Sequence, residues 1–128
     1  MSDKKMNYAD LSLRLGIGIL FIIEGFYKLF VFTPAGFAHS LTWLGPLALV
    51  AGWGVSLLEF IGGIAIILNK FVKWFTLLLA LEMVVIIITT VIPGIPKMGY
   101  GGLGFHMAFL GGLVSLTLSR WNSKDVTA

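Results

Sequence analysis

The chain has 128 residues, of which 58% are hydrophobic and only 12% charged, with a net charge of +3 and a mean hydropathy of +0.97. A soluble domain is about 45–50% apolar and about 25% charged, and a soluble chain this short would leave much of its apolar surface in water, so the lipid bilayer is the better solvent. The modest charge and the lack of a basic cluster interleaved with aromatics argue against nucleic acid as a partner, and with no cysteine the chain carries no disulfide, thiolate metal site or thiol chemistry.

A spanning helix needs roughly 20 mainly apolar residues. Four segments meet that need, at about 11–32, 44–68, 71–92 and 101–119. The expected fold is an all-α, integral membrane four-helix bundle forming one domain. Pro34 and Pro46 bracket the first loop, NKFVK (residues 69–73) makes a tight second turn, and PGIPKMGYGG (residues 93–102) breaks the chain before the last span. PAGFAH (residues 34–39) contains a small-residue cleavage pattern. The apolar run before it is longer than the usual ~7–15 residues of a secretory signal and carries charges, so it reads as a span.

Lysines and arginines in short loops set orientation. Lys4, Lys5 and Arg14 at the first end, Lys70 and Lys73 in the second loop, and Arg120 and Lys124 after the fourth span all fall on one side. The opposite side has Lys97, apart from Lys28 near a helix end. Both termini are therefore expected in the cytoplasm of a multi-pass cell-membrane protein. Tyr8, Trp74 and Trp121 would sit at the inner interface, and Trp43 and Tyr100 at the outer one, as an aromatic belt.

Six ionisable side chains fall inside the spans: Arg14, Glu24, Lys28, Glu59, Glu82 and His106. A charge at a span centre costs roughly 2.5–3.5 kcal/mol, so such groups face the protein interior and pair with one another. At about 100° per residue, Glu24 and Lys28 lie about 40° apart around the first helix and Arg14 about 80° from Glu24. All three share a face with Gly18, Phe21 and Gly25. Glu59 shares its face with Gly52, Ser56 and Gly63, small residues that let backbones approach closely. Glu82 shares its face with Thr89. Depth divides the set into Glu24, Lys28 and His106 on the outer half, and Arg14, Glu59 and Glu82 from the inner half to the centre.

Three of these groups are carboxylates and two are permanent cations. With His106 neutral, at least one carboxylate lacks a full partner, and an unpartnered carboxyl in a low dielectric is suited to exchanging a proton with a ligand. The blander reading is an intrahelical Glu24–Lys28 pair, with Arg14 bound to Glu59 or reaching the interface. In the fourth span, Gly104, Ala108, Gly111 and Ser115 form a small-residue stripe, with His106, Phe109, Leu113 and Thr117 on nearly the opposite side. One of these faces is expected to meet another subunit, as a homo-oligomer or in a larger complex, unless the small residues pack inside and His106 is a buried, hydrogen-bonded histidine. Metal binding finds little support, since His39 and His106 are the only histidines and no Glu-x-x-His pair occurs. GYGGLG (residues 99–104) follows no strand and reads as a flexible helix entry.

LRLGIGILFIIEGFYKLF (residues 13–30) resembles the first span of the DoxX family: an early Arg, then Gly and Phe, a polar residue before Gly, and a Lys one turn later. LLEFIGGIAIIL (residues 57–68) is similar to the family's second-span Glu followed by glycines, and SRWNSKD (residues 119–125) to its exit from the last span. The resemblance implies a small four-helix membrane protein linked to quinone or redox metabolism. The family takes its name from a subunit associated with thiosulfate:quinone oxidoreduction, and other members are associated with oxidative or electrophile stress.

The leading expectation is thus a quinone-associated membrane redox protein, either an enzyme subunit or an accessory one. Glu24, Lys28 and His106 would hold the oxygens of a quinone-like head group, and Glu59 or Glu82 would exchange its protons. No redox centre is evident in the chain, so electrons would come from a partner or a bound cofactor, for which a quinone is the candidate. A second expectation is a non-catalytic subunit that assembles or stabilises a larger membrane complex. A third, weaker one is a small-molecule or proton-coupled transporter.

Overall fold

The computed structural model describes residues 3–124 and 127, with side chains from Tyr8 onward, and the regular elements among them are all helical. The side chains of Lys4 and Lys5, used in the orientation argument, lie outside the described residues.

Helix α1 (Asp3–Phe26) runs straight into a π turn at Tyr27–Val31, closed by Phe32 N–H donating to the Tyr27 carbonyl. Thr33 then caps a short helix α2 (Pro34–Ala38): its hydroxyl accepts from Gly36 N–H, and Pro34 occupies the first turn, where its missing N–H costs nothing. A 3₁₀ stretch, His39–Leu47, leads into α3 (Ala48–Ile67). It is broken at Leu41 and at Gly45, whose φ is +59°. That left-handed conformation suits glycine and lets the chain turn ahead of Pro46. The second span was expected from about 44; the long helix proper begins at Ala48, after this broken lead-in.

The NKFVK turn is as tight as expected. Asn69 and Phe71 both take positive φ, and α4 (Val72–Ile86) starts at once. A second π turn, Ile87–Val91, follows, then α5 (Ile92–Met98) and α6 (Gly101–Ser119). The chain was expected to break from Pro93. Instead the helix continues through Pro93 and Pro96 to Met98 and ends at Gly99, with φ +76°. Proline lacks an N–H and crowds the preceding turn. The π turn directly before α5 relaxes the ladder where Pro93 enters it.

The stretches 34–67, 72–98 and 101–119 are each long and apolar enough to cross a membrane. Helix α1 carries Asp10, Arg14 and Glu24, and this charge load sets it apart from those three. It packs along α3 through glycine. A Cβ on Gly63 would stand 2.7 Å from the Gly18 carbonyl oxygen and 2.8 Å from the Ile22 nitrogen, and one on Gly25 would collide with the Phe60 backbone. In lipid the solvent is as apolar as leucine, so such close backbone packing takes over from the hydrophobic effect. Ile17, Phe21, Ile66, Leu79, Met83, Leu113 and Leu116 fill the core. Thr76 of α4 and Thr117 of α6, both buried, bring their hydroxyls to 2.8 Å. Ile19, Ile23, Val50, Leu81, Ile88 and Leu118 lie exposed on the outer surface, the position lipid-facing side chains take.

One end of the bundle is tied by ions. Asp10 receives Arg14 Nε at 2.8 Å and both terminal nitrogens of Arg120, at 2.8 and 2.9 Å. Arg120 also donates to Asn69 Oδ1, and Arg14 donates to the Ile67 carbonyl at 2.9 Å, one of the last carbonyls of α3 that have no helical partner. Asp10, Asn69 and Arg120 therefore gather the start of α1, the α3–α4 turn and the end of α6. The Arg120 guanidinium foremost, with Arg14, outweighs partial burial and holds the Asp10 carboxyl below its usual 3.8. Lys73 bridges the same end, donating to the Trp121 carbonyl while its ammonium lies over the Trp74 and Trp121 rings.

Candidate ligand-binding site

The π turn after α1 carries Lys28, and α3 presents Glu59 opposite it. The Lys28 ammonium donates to both Glu59 oxygens, at 2.7 and 2.8 Å. Only 13% of the Lys28 side chain and 3% of the Glu59 side chain are exposed, so this is a buried, two-pronged ion pair. The ammonium also lies 4.8 Å from the centre of the Phe37 ring, a favourable site for a cation. The pair corrects the intrahelical alternative: Lys28 binds Glu59, 31 residues along, and not Glu24. Glu24 is exposed on α1.

Glu82 of α4 stands near this pair, within electrostatic reach of both Glu59 and Lys28. Both its carboxyl oxygens are buried with no hydrogen-bond partner among the described residues. Two carboxyl groups thus stand near a single ammonium, whose hydrogen bonds go to Glu59. A buried polar atom without a partner costs about 1–3 kcal/mol, which marks Glu82 as a group in need of a ligand or a proton.

Two cavities meet at the cluster. The larger, about 500 Å³, lies between the 3₁₀ lead-in, α3 and α4; Lys28, Glu82 and His106 contribute its charged and imidazole groups, and Phe37, Trp43, Val55, Leu58, Val85 and Ile86 much of its apolar wall. The smaller, about 250 Å³, lies toward α1 and α6 and is lined by Glu24, Lys28, Glu59, Phe105 and His106 among others. Lys28, Ile86 and His106 border both. The half-exposed His106 brings Nδ1 to 2.6 Å from the Gly102 carbonyl oxygen. A carbonyl oxygen only accepts, so Nδ1 carries the hydrogen, and in the neutral ring Nε2 is left as an acceptor.

The structure therefore brings together five of the six intramembrane groups, Glu24, Lys28, Glu59, Glu82 and His106, around two adjoining cavities. It takes Arg14 elsewhere, into the ionic tie at the bundle end. The division by depth does not hold: Lys28, placed in the outer set, pairs with Glu59 of the central set. Its long side chain and the π turn under it carry the ammonium inward. Asp10, Phe37, Ser40 and Thr90 were not singled out. Asp10 had a readable signal in its four-residue spacing from Arg14. The π turns had none, although such turns are frequent at functional sites; they place Lys28 on one wall of the larger cavity and Thr89 and Thr90 on another. Among the described residues, no three His, Cys, Asp or Glu side chains gather as metal ligands.

Described elements that are all helical, several of them apolar and of membrane length, with an ionic cluster buried among them define a small polytopic membrane protein. It belongs to the DoxX family, whose sequence pattern matches residues 9–91. That segment contains the ionic tie's Asp10 and Arg14 and the cluster's Lys28, Glu59 and Glu82, while His106 and Arg120 lie beyond it. No curated protein and no solved structure matches the chain.

Proposed function

We propose that the chain is a quinone-associated redox protein of the cell membrane, a single four-span domain with α1 as the first span and both termini in the cytoplasm. The larger cavity takes the ring of a quinone-like ligand, and Glu82, Lys28 and His106 meet its oxygens. A quinone becomes a quinol by taking two electrons and two protons, the electrons coming from a partner. The role of this chain is to bind and orient the ring, exclude water with Phe37, Trp43 and Leu58, and hold a proton at Glu82 or Glu59.

The observation that carries this reading is a mostly apolar cavity of about 500 Å³ ending on a carboxyl group with both oxygens buried and unpartnered. Ligand sites are typically apolar clefts of about 300–1,000 Å³ with a few converging polar groups, and intramembrane carboxyls commonly mark ligand or proton paths. Membership of a family loosely associated with quinone and redox functions supports the same reading. The test is to purify the protein in mild detergent and identify bound small molecules by mass spectrometry. A quinone retained by the parent and lost in Glu82→Leu supports the proposal. Repeated absence of a quinone, with no binding of added short-tailed quinone or quinol, refutes it.

A second reading, a non-catalytic subunit of a larger membrane complex, is favoured by α6. Its Gly104, Ala108, Gly111 and Ser115 stripe is exposed, and a Cβ on Gly104 or Gly111 would meet open space. Native mass spectrometry tests it: a stable lone monomer counts against it, and a stoichiometric partner counts for it.

A further inference from the structure

We propose that the smaller cavity is a water-filled proton inlet, through which protons reach the Glu59 and Glu82 carboxyls from the end of the bundle opposite the ionic tie. It rests on the proton role proposed for those two carboxyls and is independent of the ring's identity. Four of the ten residues lining this cavity are ionisable, Glu24, Lys28, Glu59 and His106, against three of sixteen in the larger cavity. Water occupies a cavity that has room for it and offers each molecule about two to four polar partners, and about 250 Å³ holds several. Donors and acceptors are both at hand. Lys28 gives two of its N–H groups to Glu59 and keeps a third. Glu59 retains lone pairs beyond that pair, and His106 Nε2 is an acceptor while the ring is neutral.

Glu24 needs such water. With α1 as the first span, Glu24 is exposed on a helix whose outward residues include Ile19 and Ile23, and no hydrogen bond or ion pair joins it to another described residue. Intramembrane carboxyls face the protein interior or a water-filled cavity. Glu24 and Phe105 are the exposed residues of the lining, whereas Phe21, Glu59 and Met83 are buried, so the cavity runs inward from a mouth between α1 and α6. Toward the ionic tie these helices touch: a Cβ on Gly112 would stand 2.5 Å from Ile17 Cδ1 and 3.4 Å from Leu13 Cδ1. In the other direction Phe105 and His106 lie only roughly 6–8 Å into α6, at about 1.5 Å per residue, within reach of water at the helix end. Glu59 lines the inlet and meets this water directly. For Glu82 the route passes His106, which borders both cavities. A hydronium ion gives its proton to His106 Nε2 and is left as water; His106 releases that proton to the Glu82 carboxylate, which becomes a neutral carboxyl. Charge is conserved and no electron moves.

Because the chain has no cysteine, an introduced one is its only thiol, and the reactive form is the thiolate, which apolar surroundings disfavour. Full-length single-cysteine variants in nanodiscs are treated with a small, charged methanethiosulfonate. Leu20 lines the inlet, while Ile19, one residue away, is half exposed on the lipid side. Leu20→Cys, the less exposed position, should react at least about tenfold faster than Ile19→Cys, since only a hydrated thiol ionises readily. Phe109→Cys repeats the measurement from α6. Glu24→Leu should suppress both inlet reactions, and Glu24→Gln, which keeps a polar mouth, should not. Infrared spectroscopy then follows hydrogen–deuterium exchange of the carboxyl band that disappears in Glu82→Gln, and that exchange should slow in Glu24→Leu and in His106→Phe. Rates at Leu20→Cys and Phe109→Cys no faster than at Ile19→Cys, or unchanged by Glu24→Leu, overturn the water-filled inlet. A missing carboxyl band, or exchange at the parent rate in both variants, overturns its proton role. Neither measurement uses a quinone, so failure here leaves ring binding to its own test, and failure to bind a quinone leaves the inlet standing.

Discussion

The Lys28–Glu59 pair makes a quantitative claim about stability. With both side chains almost wholly buried and two contacts of 2.7 and 2.8 Å, removing one partner leaves an uncompensated charge in low dielectric, at a cost of roughly 3–5 kcal/mol, while replacing both with apolar groups of similar volume is often close to neutral. Glu82 makes the two single changes unequal. In Lys28→Met, Glu59 is left facing a second carboxyl with no cation beside it. In Glu59→Gln, the ammonium stays within electrostatic reach of Glu82 and can turn to it. The expected order of stability is parent, then the Lys28→Met/Glu59→Gln double variant, then Glu59→Gln, then Lys28→Met. Lys28→Met should fall near the upper end of that range and the double variant should recover about half of the loss. Thermal melting and detergent-titrated unfolding of the four proteins give the order directly. Single variants as stable as the parent, or a double variant that loses the sum of both, would refute the buried pair.

Asp10 ties α1 to α6, and Asp10→Asn should destabilise the bundle by about 1–3 kcal/mol at neutral pH, the scale of charge-assisted hydrogen bonds. Because the folded-state carboxyl is held below its usual 3.8, this contribution is complete above that value and fades as pH falls through the lower folded-state value; parent and variant melting points should stay apart at pH 7 and draw together as pH falls below 3.8. Gly63→Ala would drive a Cβ to 2.7 Å from the Gly18 carbonyl and should cost about 1–3 kcal/mol in melting experiments. Gly16→Ala, which meets nothing within 4 Å, should be neutral or stabilising by up to about 1 kcal/mol. On α6, Gly111→Leu should leave the monomer's melting point within about 0.5 kcal/mol of the parent and abolish any complex seen by native mass spectrometry if the exposed stripe is an interface.

Much of the fold was legible because apolar length and turn residues are local signals. The last helix, 101–119, matches its expected span, and NKFVK makes the expected turn. Helix α4 was expected to end near 92, because prolines at 93 and 96 ordinarily stop a helix. The π turn at Ile87–Val91 that accommodates them leaves no trace in composition. The same limit affected the site. Helical-wheel angles put Lys28 and Glu24 on one face at a constant 100° per residue, but Lys28 sits in a π turn, which takes an extra residue per hydrogen-bonded turn and changes its phase. The Lys28–Glu59 pair joins two helices across 31 residues, and no periodicity within one helix can indicate such a partner. What the sequence did convey was that intramembrane charges need company. Five of the six candidates border the two cavities, and Arg14 found its partners in Asp10 and the end of α3.

Photoaffinity mapping tests the central claim, a ring bound between the 3₁₀ lead-in, α3 and α4, most directly. A benzoquinone carrying a photoreactive group on its ring would be irradiated with the protein in nanodiscs and its adducts located by peptide mass spectrometry. The account predicts adducts at Phe37, Trp43, Val85 and Thr89, suppressed by excess unlabelled quinone or quinol and lost in Glu82→Leu. Adducts confined to exposed side chains such as Met107 and Leu118, and unaffected by competition, would contradict it.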